Sequence, residues 1–141
     1  MELPLGPQEL LGHLGGWRPR VLVAEDDDDL RRQIVEALTL DGFVVSEARD
    51  SAELIEIATH TKLEDGTAPE LVLTDVRMPG CTGIQALAVL RAHLKGAAIL
   101  VITGLSDEET RRDAAEVGAA AVLDKPFELD QLRAAVAAAM R

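Results

Sequence analysis

The chain contains very few aromatic residues: two Phe, one Trp and no Tyr among 141 residues. Platforms on which bases or sugars could stack are therefore missing, and the core must be built from aliphatic side chains. Basic residues are also scarce, since 14 Lys and Arg face 25 Asp and Glu and leave a net charge of −11. Because this charge repels a phosphate backbone, we expect no direct binding of nucleic acid.

Cysteine and histidine are too few for a disulfide framework or a zinc site. Cys81 has no second cysteine to pair with, and the three histidines are scattered along the chain. No apolar run approaches the roughly 18 residues of a membrane span, and the N-terminus lacks the features of a signal peptide. We therefore expect a cytoplasmic protein without contact to a membrane.

Proline and glycine interrupt the first 19 residues, MELPLGPQELLGHLGGWRP, so that at most a short helix fits there. We expect residues 1–19 to be a leader or linker. From residue 20 the composition changes to apolar runs separated by longer helical stretches. A chain of this length can bury a sizeable core, so residues 20–141 are predicted to form one domain.

Hydrophobic periodicity predicts five strands and five helices in alternation. The apolar runs predict strands at 21–24, 43–48, 71–76, 97–103 and 119–123. The first helix is predicted to end before Gly42 and to share one face among Leu30, Ile34, Ala37 and Leu38. Later helices are predicted at about 51–61, 83–94, 107–117 and 128–140, with a loop at 61–70.

This alternation predicts an α/β fold. Continuous apolar strands suit a parallel sheet that is covered by helices on both faces. Right-handed crossovers between the strands then give an open, doubly wound sheet of five strands with five flanking helices. Ligands of such sheets bind outside the carboxyl ends of the strands, so the residues at those ends matter most.

Polar residues collect at these strand ends. Glu25 and Asp26 follow the first strand, Asp75 ends the third, Thr103 ends the fourth and Lys125 follows the fifth. Each of these residues alone has an ordinary explanation, such as a solvated helix start for the acidic run 25–29. Their joint placement at one edge favours a functional site.

The chemistry of this set fits a cation and a phosphoryl group. Mg²⁺ takes carboxylate oxygens and retained waters, so Asp26 and Asp75 suit direct ligation and Glu25 suits contact through a water. Asp75 is the best candidate for a nucleophile that forms an aspartyl phosphate. Thr103 and Lys125 would then contact the phosphoryl oxygens, by a hydrogen bond and as a point charge.

The remaining carboxylates of the acidic run belong to the start of a helix. Asp27 is predicted to be its N-cap. Asp28 and Asp29 fall in the first turn, where the helix dipole stabilises each carboxylate by roughly 0.3–1 kcal/mol.

Four motifs make the chain from Arg20 to Arg141 resemble the receiver domain of two-component response regulators. They are VLVAEDDDDLRR, with the acidic pair; LVLTDVRMPGCTG, with the acceptor aspartate; ILVITG, with the hydroxyl; and DKPF, with the lysine. The resemblance implies a flavodoxin-like fold with strand order 2-1-3-4-5. It also implies phosphoryl transfer to Asp75 from the phosphohistidine of a histidine kinase or phosphotransfer protein, with Mg²⁺ as the cofactor.

The same resemblance implies roles for individual residues. Asp26, Asp75 and the backbone carbonyl of Arg77 would ligate Mg²⁺, and Glu25 would act through a water. Gly104 would leave room for the phosphoryl group.

One neighbouring feature follows the family pattern and another departs from it. The resemblance implies a cis peptide between Lys125 and Pro126, which would aim the ammonium into the site. Where the family commonly has Tyr or Phe, three residues before the lysine, this chain has Val122. The aromatic half of the family's usual conformational switch is therefore missing.

Two interpretations of the output stay open. In the first, phosphorylation switches protein contacts, including self-association, through faces of the fourth and fifth helices that carry Thr110, Arg111, Ala114, Ala134, Ala135 and Ala138. In the second, the chain is a phosphorelay carrier that only receives and passes on the phosphoryl group, which the loss of the aromatic favours.

A third hypothesis makes the chain a metal-dependent phosphatase for a small substrate. Such enzymes need an acid/base carboxylate two residues beyond the nucleophile, where this chain has Arg77. We therefore expect no enzymatic turnover beyond the domain's own phosphorylation and dephosphorylation.

Overall fold

The computed structural model describes residues 18–64, 68–76, 83–104 and 107–140, and the side chains of these residues except 61–64 and 83–84. Within these ranges the strands are β1 (Arg20–Ala24), β2 (Val44–Ala48), β3 (Leu71–Asp75), β4 (Ala98–Thr103) and β5 (Ala121–Asp124). The helices are α1 (Asp28–Leu40), α2 (Ser51–Glu64), α3 (Gly83–His93), α4 (Glu108–Glu116) and α5 (Leu129–Ala139). The predicted alternation of strands and helices is confirmed.

All neighbouring strands pair in parallel, in the order β2-β1-β3-β4-β5. Apolar residues on one face of the sheet pack with α1 and α5, through Ile34, Leu38, Leu132 and Val136. The other face packs with α2, α3 and α4. The sheet is therefore covered on both faces, as its apolar strands predict, and its carboxyl ends form one edge.

Helix α1 has both of the ends that the sequence predicts. The carboxylate of Asp27 accepts hydrogen bonds from the N–H groups of Asp29 and Leu30, at 3.0 and 3.1 Å. At the other end Gly42 adopts a φ of 99°, and the N–H of Phe43 bonds to the carbonyl of Leu38. A residue with a Cβ is disfavoured at that φ, so the glycine ends the helix.

An ion pair joins the end of α1 to α5 on the same face of the sheet. Nε and Nη2 of Arg133 donate to the two carboxylate oxygens of Asp41, at 2.8 and 2.6 Å. Such a two-point contact fixes the relative orientation of both groups. It therefore holds α5 beside α1, and both helices carry residues next to the carboxyl edge of the sheet.

Two predicted boundaries were wrong by more than one residue. Helix α2 continues to Glu64, whereas it was predicted to end at about Thr61 and to be followed by a loop. Lys62, Leu63 and Glu64 are good helix formers, and the residues that break helices begin only at Asp65 and Gly66.

Strand β5 begins at Ala121 and not at residue 119. Gly118, at a φ of 75°, ends α4, and the N–H of Ala119 still bonds back to the carbonyl of Ala114, so the chain is turning there. Alanine at residues 119 and 120 fits either state, and composition alone could not place the boundary.

Each helix in the described part of the chain is too short or too polar to span a membrane.

Candidate functional site

Three carboxylates meet at the carboxyl edge of the sheet. Glu25 and Asp26 directly follow β1, and Asp75 ends the neighbouring strand β3. One oxygen from each of the three lies within 4.8 Å of the others. Glu25 and Asp75 are buried, whereas Asp26 is exposed. Two such charges about 4 Å apart repel each other by about 4 kcal/mol at an effective dielectric constant of about 20, so the cluster needs a cation.

Lys125 supplies one positive charge to this cluster. Its Nζ lies 2.6 Å from Oε1 of Glu25 and 2.5 Å from Oδ2 of Asp75. The lysine directly follows β5, and its N–H donates to the carbonyl of Thr103 at 2.8 Å. The peptide between Lys125 and Pro126 is cis, as predicted. One ammonium therefore bridges the ends of β1 and β3 from β5, which lies two strands away from β3.

The pKa values show how unequal this compensation is. Burial raises the pKa of Glu25 to about 7, although its hydrogen bond with Lys125 acts in the opposite direction. Burial acts to lower the pKa of Lys125, but its hydrogen bonds to Asp75 and Glu25 outweigh burial and raise that pKa. The lysine therefore stays charged, whereas ionisation of the buried glutamate is disfavoured.

The cluster fits a divalent cation. Three carboxylates around a single ammonium leave negative charge in excess, and Asp26, the exposed member, faces water from which an ion would enter. Oxygens that all lie within 4.8 Å of one another can share one ion, directly or through its waters. Such a set of carboxylates and waters is typical of Mg²⁺. The roles of Asp26 and Asp75 as ligands and of Glu25 as a contact through water stay predictions, which this geometry permits.

Thr103 and Gly104 lie at the end of β4, beside this cluster. The register pairs Asp75 with Ile102 and Thr103 with Asp124, so Thr103 lies one residue beyond the level of Asp75. Thr103 is buried and Gly104 is exposed.

Gly104 faces the stem of the lysine. A Cβ built on Gly104 would lie 4.0 Å from Cδ of Lys125, which is an ordinary contact. The resting fold therefore tolerates a side chain here, but that side chain would stand beside the ammonium. This position agrees with the predicted role of the glycine in leaving space for a phosphoryl group.

A groove of about 500 Å³ opens beside the cluster. It lies between the start of α1 and the segment 125–127, and Lys125 is one of the residues that line it. The site can therefore be approached from the side on which α1 begins.

The structure thus brings Glu25, Asp26, Asp75 and Lys125 into one cluster. The predicted ligand carbonyl of Arg77 lies outside the described residues. Sequence reasoning missed Arg31, a buried arginine of α1 that donates to the carbonyl of Glu25 at 2.8 Å. The available signal was its position three residues after Asp28, on the helical turn that follows the acidic pair.

Comparison with known proteins supports a single family. A family model described as the response regulator receiver domain matches residues 21–137. The transcriptional regulatory protein PrrA of Mycobacterium leprae is 37% identical over 123 residues, which are 87% of this chain and 50% of that protein. The transcriptional regulatory protein PdtaR of Mycobacterium tuberculosis is 37% identical over 118 residues, 83% of this chain and 54% of that protein. The chain spans about half the length of these two relatives.

The fold has close counterparts among solved structures. The chemotaxis protein CheY4 of Vibrio cholerae matches with a TM-score of 0.77 and 25% identity, over 87% of this chain and 99% of that chain. The match to the family model, over residues 21–137, includes Glu25, Asp26, Asp75 and Lys125 of the cluster.

Mg²⁺ is expected to stabilise the wild-type protein and not the Asp26→Asn variant, because the ion offsets repulsion that the variant lacks. At a tenfold excess over its Kd, a ligand stabilises the folded state by about 1.4 kcal/mol, which raises the Tm of a domain of this size by about 4 °C. The measurement is thermal unfolding with EDTA or MgCl₂ near pH 8, above the pKa of Glu25 of about 7.

Asp29→Asn is the matched control, because it removes an exposed carboxylate from the first turn of α1 that is not one of the three clustered carboxylates. We expect this variant to gain as much from Mg²⁺ as the wild type does. A wild-type Tm that does not respond to Mg²⁺ would contradict the cation site.

Proposed function

We propose, from the premise that this chain belongs to the family of response regulator receiver domains, that it accepts a phosphoryl group on Asp75. The donor is the phosphohistidine of a histidine kinase or phosphotransfer protein, the kind of partner with which receiver domains interact. The observation that carries this proposal is the contact of 2.5 Å between Lys125 Nζ and Asp75 within the acidic cluster. A buried carboxylate beside a fixed cation is well placed to become an acyl phosphate.

The transfer is a single displacement at phosphorus. A carboxylate oxygen of Asp75 forms a bond to phosphorus while the bond between phosphorus and the donor's imidazole nitrogen breaks. The nitrogen keeps the electron pair of the broken bond and takes up a proton from solvent. Positioning and charge stabilisation supply most of the catalysis in such transfers.

The residues around Asp75 divide this work. The ammonium of Lys125, already beside Asp75, neutralises charge on the phosphoryl oxygens, and the Thr103 hydroxyl donates a hydrogen bond to one of them. Gly104 leaves the space beside the lysine open. Asp26, Asp75 and Glu25 would hold Mg²⁺, which supplies further positive charge for the transferred group.

The groove of about 500 Å³ between the start of α1 and Lys125 gives a donor side chain space next to the lysine. Beyond its own phosphorylation and dephosphorylation we propose no turnover of a separate substrate. The proposed setting is the cytoplasm, where such donors act.

Incubation with a small phosphodonor and Mg²⁺ is expected to add one phosphoryl group to the wild-type protein and none to Asp75→Asn. The amide is a far poorer nucleophile than the carboxylate, so the loss should be complete rather than partial. Intact-mass spectrometry measures the result directly.

Asp124→Asn serves as the control, because Asp124 is also a carboxylate at a strand end but is half-exposed and paired with Arg111 at 2.9 Å. This variant should be phosphorylated like the wild type. Addition of a phosphoryl group to Asp75→Asn would show that another residue is the acceptor.

For the output, we propose that phosphorylation promotes self-association through the outer faces of α4 and α5. One residue predicted for this surface was wrong: Ala114 is buried against the sheet and cannot take part. Arg111, Ala134 and Ala138 are exposed, while Thr110 and Ala135 are half-buried. Small exposed residues on α5 allow a second helix to approach closely.

Phosphorylation is expected to raise the sedimentation coefficient of the wild type towards that of a dimer, and Ala138→Glu is expected to prevent this rise. The substitution places a charge on the exposed face of α5 without touching the core. Ala88→Glu is the control, because Ala88 is exposed on α3, which packs on the face of the sheet opposite to α5.

A protein that stays monomeric after complete phosphorylation would exclude self-association and favour the phosphorelay carrier. Val122 is the specific observation behind this alternative. It is half-buried against the core, at the position where the family commonly has a mobile aromatic ring.

A further inference from the structure

Arg31, in the first turns of α1, is the strongest feature of the site that the proposed function does not use. Its side chain is only 10% exposed, although arginine is seldom buried. All three nitrogens donate: Nη1 to the carbonyl of Glu25 at 2.8 Å, Nη2 to Asp28 at 2.6 Å and Nε to Glu47 at 3.0 Å. One guanidinium thus connects the acidic turn, the start of α1 and the strand β2.

The contact with the Glu25 carbonyl is the informative one. This carbonyl belongs to the peptide that joins Glu25 to Asp26. The orientation of the carbonyl therefore fixes the position of the Asp26 backbone. On the other side of Glu25, its N–H donates to the carbonyl of Ala48 at 3.1 Å. The backbone of Glu25 is therefore held from two sides, by β2 and by Arg31.

The glutamate side chain is fixed within the same turn. Oε2 of Glu25 accepts a hydrogen bond from the N–H of Asp27 at 3.1 Å, while Oε1 lies against Lys125. By contrast, Asp26 is exposed, and the hydrogen-bond partner of its carboxylate is the Glu25 side chain of the same turn. Its position therefore depends on the backbone that Arg31 holds.

Arg31 stays charged in this setting. Burial acts to lower the pKa of its guanidinium, but the hydrogen bonds to Asp28 and Glu47 outweigh burial and raise that pKa. The planar fork reaches three acceptors in different directions, which a lysine ammonium on a flexible stem would not reproduce.

We propose that Arg31 is a positioning residue for the cation site: by holding the Glu25–Asp26 peptide, it aims the Asp26 carboxylate at the ion. The inference rests on the proposed function, because it assigns a role towards the same Mg²⁺ site. Arg31 does not touch the ion or the phosphoryl group. It acts as the outer partner of a metal ligand, and loss of such partners commonly weakens metal affinity by about 10–100-fold.

The charge of Arg31 has the opposite effect on affinity, and this makes the proposal testable. A fixed positive charge near the acidic cluster repels Mg²⁺, so removing that charge alone would tighten binding. Loss of positioning weakens binding. Arg31→Lys keeps the charge and loses the fork, whereas Arg31→Met loses both.

The experiment is calorimetric titration of the metal-free protein with MgCl₂, which measures affinity without any phosphoryl transfer. We expect the Kd to rise by about 10–100-fold in Arg31→Lys. In Arg31→Met we expect a smaller rise, because the lost charge partly offsets the lost positioning. Arg32→Lys and Arg32→Met are matched controls, since Arg32 is the exposed neighbour, with a guanidinium nitrogen 3.8 Å from Asp29. Their Kd should stay within about twofold of the wild type.

A purely structural role gives a different pattern. Arg31→Lys would then unfold more readily in denaturant but bind Mg²⁺ with unchanged Kd, and this result would overturn the proposal. Should Arg31→Met fail to fold, Glu47→Ala replaces it, because it removes one exposed acceptor of the guanidinium and leaves the site untouched. We expect a rise of a few fold in its Kd, and an unchanged Kd in both Glu47→Ala and Arg31→Lys would also overturn the proposal.

The same titration separates this inference from the proposed function. If the wild type binds Mg²⁺ and is phosphorylated on Asp75, an unchanged Kd in Arg31→Lys refutes only the role of Arg31. A wild type that is phosphorylated on Asp75 but does not bind Mg²⁺ refutes the role of Arg31 and the metal site while the acceptor assignment stands.

Discussion

The repulsion among three carboxylates at the ends of β1 and β3 is the constraint on which the site depends. Glu25 and Asp75 are buried close to each other, where ionised carboxylates are costly unless a cation lies between them. Lys125 is that cation in the resting protein, with its Nζ within 2.6 Å of both. Lys125 follows β5 and reaches past β4 to the end of β3. The cluster therefore forms only when these strands are assembled in this order.

The same constraint explains why the site suits phosphoryl chemistry. A single ammonium does not balance three carboxylates, so the cluster favours a further cation at its exposed member, Asp26. The proposed phosphoryl group then enters a site with positive charge on both sides of Asp75. Arg31 is proposed to support this arrangement by donating to the backbone carbonyl of Glu25. Excess negative charge in the resting state and the proposed stabilisation of the phosphorylated state are two consequences of one geometry.

Much of this could be predicted from the sequence, because apolar strands separated by amphipathic helices permit few arrangements. The parallel sheet, the cap at Asp27, the stop at Gly42 and the meeting of strand-end residues all follow from local chemistry. Boundaries were less predictable: alanines at residues 119 and 120 suit a turn as well as a strand. The burial of Ala114 and Arg31 depended on how helices lie against the sheet, which residue spacing alone does not determine.

We propose that Asp75, Lys125, Thr103 and Asp26 act together on one phosphoryl group and one ion. A crystal structure of the wild-type protein with Mg²⁺ and beryllofluoride, a mimic of the phosphoryl group, would show these contacts. We expect beryllium bonded to the Asp75 carboxylate, fluorine atoms in contact with the lysine Nζ and the threonine hydroxyl, and Mg²⁺ bound by Asp26 and Asp75. Beryllofluoride on a different carboxylate, or an ion that Asp26 does not contact, would contradict it.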